Sequence, residues 1–217
     1  IVKRSPWKLS PLFSPHSIAV IGASPKGGAG SIVIRNLQRL GFAGTIHPVN
    51  PKYADVLGYP CHPSLETIPG PVDCAVLLGD KAILPILKTA HARGVKGVWA
   101  FASGFAETGE QGAAMQREIR DFCRETGLLF CGPNCVGYAN ITDGVGMYSA
   151  PLPRAFRKGS IGVIASATRP GKPGFPGSFP RETKPPSGWP ITWITLWMTP
   201  KPPSSPCSWK PSAIPKA

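Results

Sequence analysis

Residues 18–30 read Ile-Ala-Val-Ile-Gly-Ala-Ser-Pro-Lys-Gly-Gly-Ala-Gly, an apolar run that breaks into glycines just before a helix-like segment from Ser31 to Leu40. Glycines let a backbone come close to a phosphate. The first turn of the helix that follows offers free N–H groups and a positive dipole end. Gly22, Ser24, Pro25, Lys26, Gly27 and Gly28 are therefore candidates for a phosphate cradle, with Lys26 adding a cation. The loop departs from G-x-G-x-x-G, because Ser24, Pro25 and Lys26 stand where the second glycine would fall.

A second cation stands at the next strand tip, in Pro48-Val49-Asn50-Pro51-Lys52. Domains that hold the ribose hydroxyls of NAD carry an acid at that tip. Lys52 in its place suits an extra phosphate, either the 2′-phosphate of NADP or the 3′-phosphate of coenzyme A. One such lysine reads as ordinary surface. Two, at the two strand tips flanking one site, favour function, and Asn50 joins Lys52 as a candidate.

Two later loops could also carry chemistry: Ser103–Gly109 and Gly132-Pro133-Asn134-Cys135. Gly132-Pro133-Asn134 reads equally as a turn or a site. Glu107 reads first as a capping acid near the helix starting at Gly109, and only second as a catalytic group. His16, His47, His62 and His91 are not clustered in the sequence. The six cysteines (Cys61, Cys74, Cys123, Cys131, Cys135 and Cys207) read singly, without a C-x-x-C pair. Cys131 and Cys135 lack a downstream His/Cys pair, so no metal site is expected. Cys74 lies in an apolar run and reads as a small hydrophobe.

These loops need elements to position them. Apolar runs at Ser17–Ile21, Thr45–Val49, Asp73–Leu78, Gly97–Phe101, Leu128–Cys131 and Ser160–Ala165 alternate with helix-period segments at Ser31–Leu40, Lys81–Arg93 and Gly109–Thr126. Ile83, Ile86, Leu87 and Ala90 form one apolar stripe; Met115, Ile119 and Phe122 form another. Gly41, Gly94 and Gly127 mark the helix ends. Strands that are apolar throughout have both faces covered, so the pattern predicts an α/β, Rossmann-like, doubly wound parallel sheet.

An apolar fraction of 42% suits a globular core, yet 13 of the 27 prolines and four of the six tryptophans fall in residues 166–217. The formal charge is +13, but no basic helix or Lys/Arg run is present. A solvated surface plus an odd tail is the reading, rather than a nucleic-acid partner. No signal peptide or bilayer-length apolar run is visible, so a cytoplasmic protein with no membrane partner is expected. The first residue is Ile1, which predicts a fragment.

Five motifs taken in order resemble a known family. They are Leu12-Phe13-Ser14-Pro15-His16-Ser17-Ile18-Ala19-Val20-Ile21-Gly22-Ala23-Ser24, Pro48-Val49-Asn50-Pro51-Lys52-Tyr53, Ser103-Gly104-Phe105-Ala106-Glu107-Thr108-Gly109, Gly132-Pro133-Asn134-Cys135-Val136-Gly137 and Lys158-Gly159-Ser160-Ile161-Gly162-Val163-Ile164. Over about residues 8–165 the chain resembles the coenzyme A-binding domain of the NDP-forming acyl-CoA synthetases, the acetate–CoA ligase (ADP-forming) type. The α subunit of succinyl-CoA synthetase is a more distant relative. The resemblance implies that residues 22–30 cradle the phosphates of coenzyme A and that Lys52 meets the 3′-phosphate region. It also implies that Ser103, Gly104, Asn134 and Cys135 lie where the pantetheine arm and thiol reach the reaction centre. It adds modest weight to a catalytic Glu107. One departure is Leu77-Leu78-Gly79-Asp80-Lys81, where the family shows a Val-Pro pair near the adenine.

After Ala165 the resemblance ends, and proline recurs every few residues to Pro215. Such density excludes helix and central strand, and predicts a disordered tail over 166–217. A frameshift would explain it. Read two bases into each codon, Phe179-Pro180-Arg181-Glu182-Thr183-Lys184 can encode Ser-Ser-Gly-Asn-Glu-Ala, a motif of the family's second domain. Trp197-Met198-Thr199 must then give Asp-Asp, and Trp209-Lys210 must give Glu. A genuine Pro-rich basic linker is the alternative. The expected organisation is thus a coenzyme A-binding unit over 1–165, with a lost second domain's first strand at about 160–165.

The function implied is the coenzyme A-binding part of a ligase that makes acyl-CoA from a small carboxylic acid, coenzyme A and a nucleoside triphosphate. An ATP-grasp domain or β subunit would be its partner, and this chain would bind coenzyme A without catalysis. A nucleotide-sensing regulatory module is the alternative; an NADP-dependent reductase is third, and the chain has no room for its substrate domain.

Overall fold

The computed structural model describes residues 9–79, 83–153 and 156. The run expected as a strand at Ser160–Ala165, the tail 166–217, Asp80 and Lys81 lie outside the described residues.

In chain order the elements are helix α1 (Ser10–Phe13), strand β1 (Ser17–Ile21), α2 (Ala29–Leu40), β2 (Thr45–Val49), a small hairpin of β3 (Asp55–Val56) and β4 (Tyr59–Pro60), β5 (Cys74–Leu78), α3 (Ile83–Ala92), β6 (Gly97–Phe101), α4 (Glu110–Thr126), β7 (Leu129–Cys131), and a second hairpin of β8 (Gly137–Asn140) and β9 (Val145–Tyr148). The main sheet has the order β2-β1-β5-β6-β7, and every neighbouring pair is parallel. The chain runs outward from β1 to β2, crosses back to β5, then steps on to β6 and β7. Connections therefore diverge between β1 and β5, the switch point at which doubly wound sheets leave a crevice.

Strand residues alternate between two cores, as the two-residue period requires. Ile18 and Val20 of β1 join Cys74, Val76 and Trp99 on the face covered by Val33, Ile34 and Leu37 of α2. Ala19 joins Ala75, Leu77, Val98 and Ala100 on the opposite face, under Ile83, Leu87 and Ala90 of α3 and Ile119 of α4. Each large side chain buried this way contributes roughly 1.5–3 kcal/mol. Cys74 is fully buried and serves as a small hydrophobe, as its apolar run predicts. Gly41 and Gly127 close α2 and α4 in the left-handed conformation, where the sequence marked the ends.

Two expectations need correction. Met115 is 43% exposed, so the apolar stripe of α4 rests on Ile119 and the half-buried Phe122. His47 and His62 are a pair, with ring centroids 5.4 Å apart. The amide of His62 donates to the Pro48 carbonyl (2.9 Å) and the His62 carbonyl accepts from Asn50 N–H (2.8 Å). The chain after β4 thus returns alongside the edge strand β2, bringing together two histidines that are distant in sequence.

The β8–β9 hairpin completes the α2 face. Tyr138 is buried there, its hydroxyl donating to the Leu12 carbonyl and its ring edge-on to Phe13 at 4.9 Å. Asn36 of α2 is fully buried. Its Nδ2 donates to the carbonyls of Tyr148 (3.0 Å) and Ala150 (2.9 Å), and its Oδ1 accepts from Leu152 N–H (2.9 Å).

Candidate functional site

A cleft of about 470 Å³ opens at the C-terminal ends of β1, β5 and β6, at the switch point. One wall is Gly22, Gly27, Gly28, Ala29 and Gly30. The other is Leu78, Gly79, Phe101, Ala102, Ser103 and Asn134. α2 starts at Ala29 with no side-chain cap and no acid in its first turn. Its leading N–H groups are left to a ligand, and the positive end of its dipole has no acid in its own first turn.

Two glycines make this geometry possible. Gly22 takes φ +84°, turning the chain sharply while its amide stays bonded to the Val49 carbonyl at 2.9 Å. A Cβ on Gly30 would fall 2.8 Å from Cα of Ala23, so only glycine lets the helix start press against the strand end.

The sequence candidates divide in two. Gly22, Gly27, Gly28, Ser103 and Asn134 come together on the cleft walls. Ser24, Pro25, Lys26, Asn50, Lys52, Gly104, Glu107 and Cys135 do not line it. Ser24 shapes the loop: its hydroxyl oxygen accepts from Lys26 N–H (3.2 Å), and its carbonyl accepts from the Ser31 hydroxyl. Asn50 is a brace. Its Nδ2 donates to the Ala23 carbonyl at 2.8 Å, and its Oδ1 accepts from Lys52 N–H at 3.0 Å. Pro25, Lys26 and Lys52 are exposed on the loops that follow β1 and β2.

Glu107 does not cap α4, whose N-cap is Gly109 with no side-chain bond. Its carboxylate instead accepts from Gly104 N–H at 2.9 Å, closing the turn after β6. The reason is local: a short 3-10 helix, Ala106–Thr108, turns Glu107 back toward its own loop.

Cys131 and Cys135 are not single. Their Sγ atoms are 3.6 Å apart across the turn Gly132-Pro133-Asn134. The Pro133 carbonyl accepts from Ala102 N–H at 3.0 Å, and Trp99 Nε1 donates to the Cys135 carbonyl at 3.0 Å, so β6 fixes the turn. The Cys131 thiol donates to Cys135 and thereby lowers the Cys135 pKa, helped by the Gly137 amide and the Trp99 ring N–H against the opposing effect of burial. The same bond, then burial, raises that of Cys131. Sequence reading missed this pair because C-x-x-x-C fits no familiar spacing.

It also missed Phe101 and Ala102 as cleft residues, while Leu78 and Gly79, singled out as the departure near the family's adenine position, do line the cleft. Their signal was their position at strand C-terminal ends. A larger cavity, about 680 Å³, runs along the outer side of α4 and β7 past Arg117, Ile119 and Phe130. It flanks the sheet edge, away from the switch point. Among the described residues no helix is long and apolar enough to cross a membrane.

A family model described as a CoA binding domain matches residues 16–140. The chain is 38% identical over 159 residues to acetate–CoA ligase (ADP-forming) II of Archaeoglobus fulgidus, covering 72% of this chain and 24% of that protein. It is 32% identical over 160 residues to 4-hydroxybutyrate–CoA ligase (ADP-forming) of Nitrosopumilus maritimus, covering 73% and 23%. Among solved structures it is similar to Ca. Korarchaeum cryptofilum dinucleotide-forming acetyl-coenzyme A synthetase 1 in complex with phosphate and ADP, at a TM-score of 0.63 and 31% identity, covering 70% of this chain and 32% of that one. The chain thus spans about a quarter of the length of these two relatives.

Proposed function

The chain belongs to the CoA binding domain family, in the region it shares with ADP-forming acetate–CoA ligases, and from that membership we propose that it binds coenzyme A in the cleft at the β1/β5 switch point. The observation that carries this reading is the uncapped N-terminus of α2 opening onto that cleft beside Gly22, Gly27 and Gly28. A diphosphate there would accept from the free helix N–H groups, with no acid in the first turn of α2 to compete. Lys26 and Lys52, exposed on the adjoining loops, would add cations for the diphosphate and the 3′-phosphate. Ser103 and Asn134 face the cleft from the far wall and would orient the pantetheine arm. Gly104 and Cys135 act through the turns they hold.

In the longer protein the bound thiol would accept an acyl group from a small carboxylic acid activated by a nucleoside triphosphate, with an ATP-grasp unit as partner and the cytoplasm as its place. In this reading the chain's own part is ligand binding. The test is thermal: coenzyme A must raise the melting temperature in a saturable way and NAD must raise it less, by preferential binding to the folded state. Equal or greater stabilisation by NAD would overturn the reading.

A further inference from the structure

Beyond the cleft, one cluster of nucleophilic side chains is unused by the proposed binding role. Cys131 ends β7 and Cys135 follows the Gly132-Pro133-Asn134 turn, with Sγ atoms 3.6 Å apart and both residues half-buried. Cys74, by contrast, is fully buried. A disulfide bond would close that separation to roughly 2.05 Å. The polarity of the pair is set by its surroundings. Cys131 S–H points at Cys135, and the Gly137 amide and Trp99 ring N–H also act on the Cys135 sulfur.

We propose that Cys131 and Cys135 form a thiol–disulfide exchange site whose substrate is a small-molecule disulfide, with Cys135 attacking and Cys131 resolving. The Cys135 thiolate attacks one sulfur of the reagent R–S–S–R. The reagent's S–S bond breaks, RS⁻ leaves and takes up a proton, and Cys135–S–S–R forms. Cys131 then loses its proton to solvent and attacks the Cys135 sulfur, breaking the bond to SR and releasing a second RS⁻. The two protein thiols are oxidised to one disulfide, and the reagent is reduced to two thiols. The attacker is the sulfur that keeps more thiolate character, the usual determinant of such reactions. Because Asn134 lies inside the closed loop and lines the cleft, exchange would also rigidify one cleft wall. That consequence rests on the binding reading; the exchange itself does not.

The experiment treats the full chain, under native conditions, with limiting glutathione disulfide. Free thiols are then alkylated, and the tryptic peptide 125–154 is weighed without reduction. That peptide holds both cysteines and no other. The expected result is a peptide lighter by two hydrogens, unalkylated and free of glutathione, while Cys123 remains fully alkylated. The Cys131→Ser variant should instead retain one glutathione on Cys135. The proposal fails if the wild-type peptide takes up two alkyl groups at the disulfide dose that oxidises other cysteines. It also fails if Cys131→Ser carries no glutathione, or if Cys135→Ser forms the adduct on Cys131 just as fast. The wild-type measurement needs no substitution, so a poorly folding variant leaves it decisive.

Discussion

The side-chain amide of Asn50, at the tip of β2, donates to the carbonyl of Ala23 at 2.8 Å and so ties the second strand to the glycine loop of the first. The same side chain accepts from the Lys52 amide at 3.0 Å, fixing the turn that carries the lysine. Asn50 therefore couples both cation-bearing loops without lining the cleft.

Replacing Asn50 should show that coupling. Asn50→Ala removes both bonds and should cost about 1–2 kcal/mol of stability, since each ordinary hydrogen bond contributes about 0.5–1.5 kcal/mol. Coenzyme A affinity should fall with it. Asn50→Asp keeps the acceptor for Lys52 but sets a carboxylate against the Ala23 carbonyl, so it should be no better than alanine. Thermal melts and titration of each variant decide this; an Asn50→Ala protein with unchanged melting and unchanged affinity would remove the bracing role.

In the proposed reading Lys52 would meet the 3′-phosphate and Lys26 the diphosphate. Lys52→Ala should narrow the preference for coenzyme A over dephospho-coenzyme A by about 1.4- to fivefold, because an exposed ion pair contributes only ~0.2–1 kcal/mol. Lys26→Ala should weaken both ligands alike. Competition binding at low salt reads the ratio directly. If wild type binds the two ligands equally, Lys52 has no such part.

Asn36 anchors the end of β9 and the segment after it through three hydrogen bonds from a fully buried position. Asn36→Leu matches the volume but leaves two carbonyls and one amide without their partner. The expected cost is about 2–4 kcal/mol, since an unsatisfied buried polar group costs ~1–3 kcal/mol and some can reach water. Denaturant unfolding measures it. A loss below the error of that method would mean that the segment at 148–152 is held by packing alone.

Thiol reactivity should differ by position as pH changes. Burial pushes the Cys123 thiol up to about 11, whereas hydrogen bonding from Cys131 lowers that of Cys135. As pH rises from 6, Cys135 should gain thiolate first and be alkylated first, with Cys123 following only well into the alkaline range. Cys123 labelling ahead of Cys135 in a timed iodoacetamide series would reverse the assignment.

The parallel sheet was legible because β1, β5 and β6 are apolar on both faces, and because glycines stop α2 and α4 in plain view. The β8–β9 hairpin was not: Gly-Tyr-Ala-Asn and Val-Gly-Met-Tyr are short and glycine-bearing, and become strands only when Tyr138 and Met147 find the α2 face. At the site, the glycine loop announced itself through residue type. Phe101 and Ala102 carry no chemical signature and join the cleft through topology alone. Asn50 and Glu107 were picked out by type, but their hydrogen bonds give them bracing roles that spacing cannot reveal.

Amide hydrogen exchange with and without coenzyme A tests the central claim most directly, because it locates the ligand as well as detecting it. Saturating coenzyme A should slow exchange in 22–32, where the glycine loop meets α2, and in 101–104 beyond β6, while the outer side of α4 at 113–124 stays unchanged. Protection confined to α4 and β7, or none at a concentration that saturates binding, would contradict a coenzyme A site at the β1/β5 switch point.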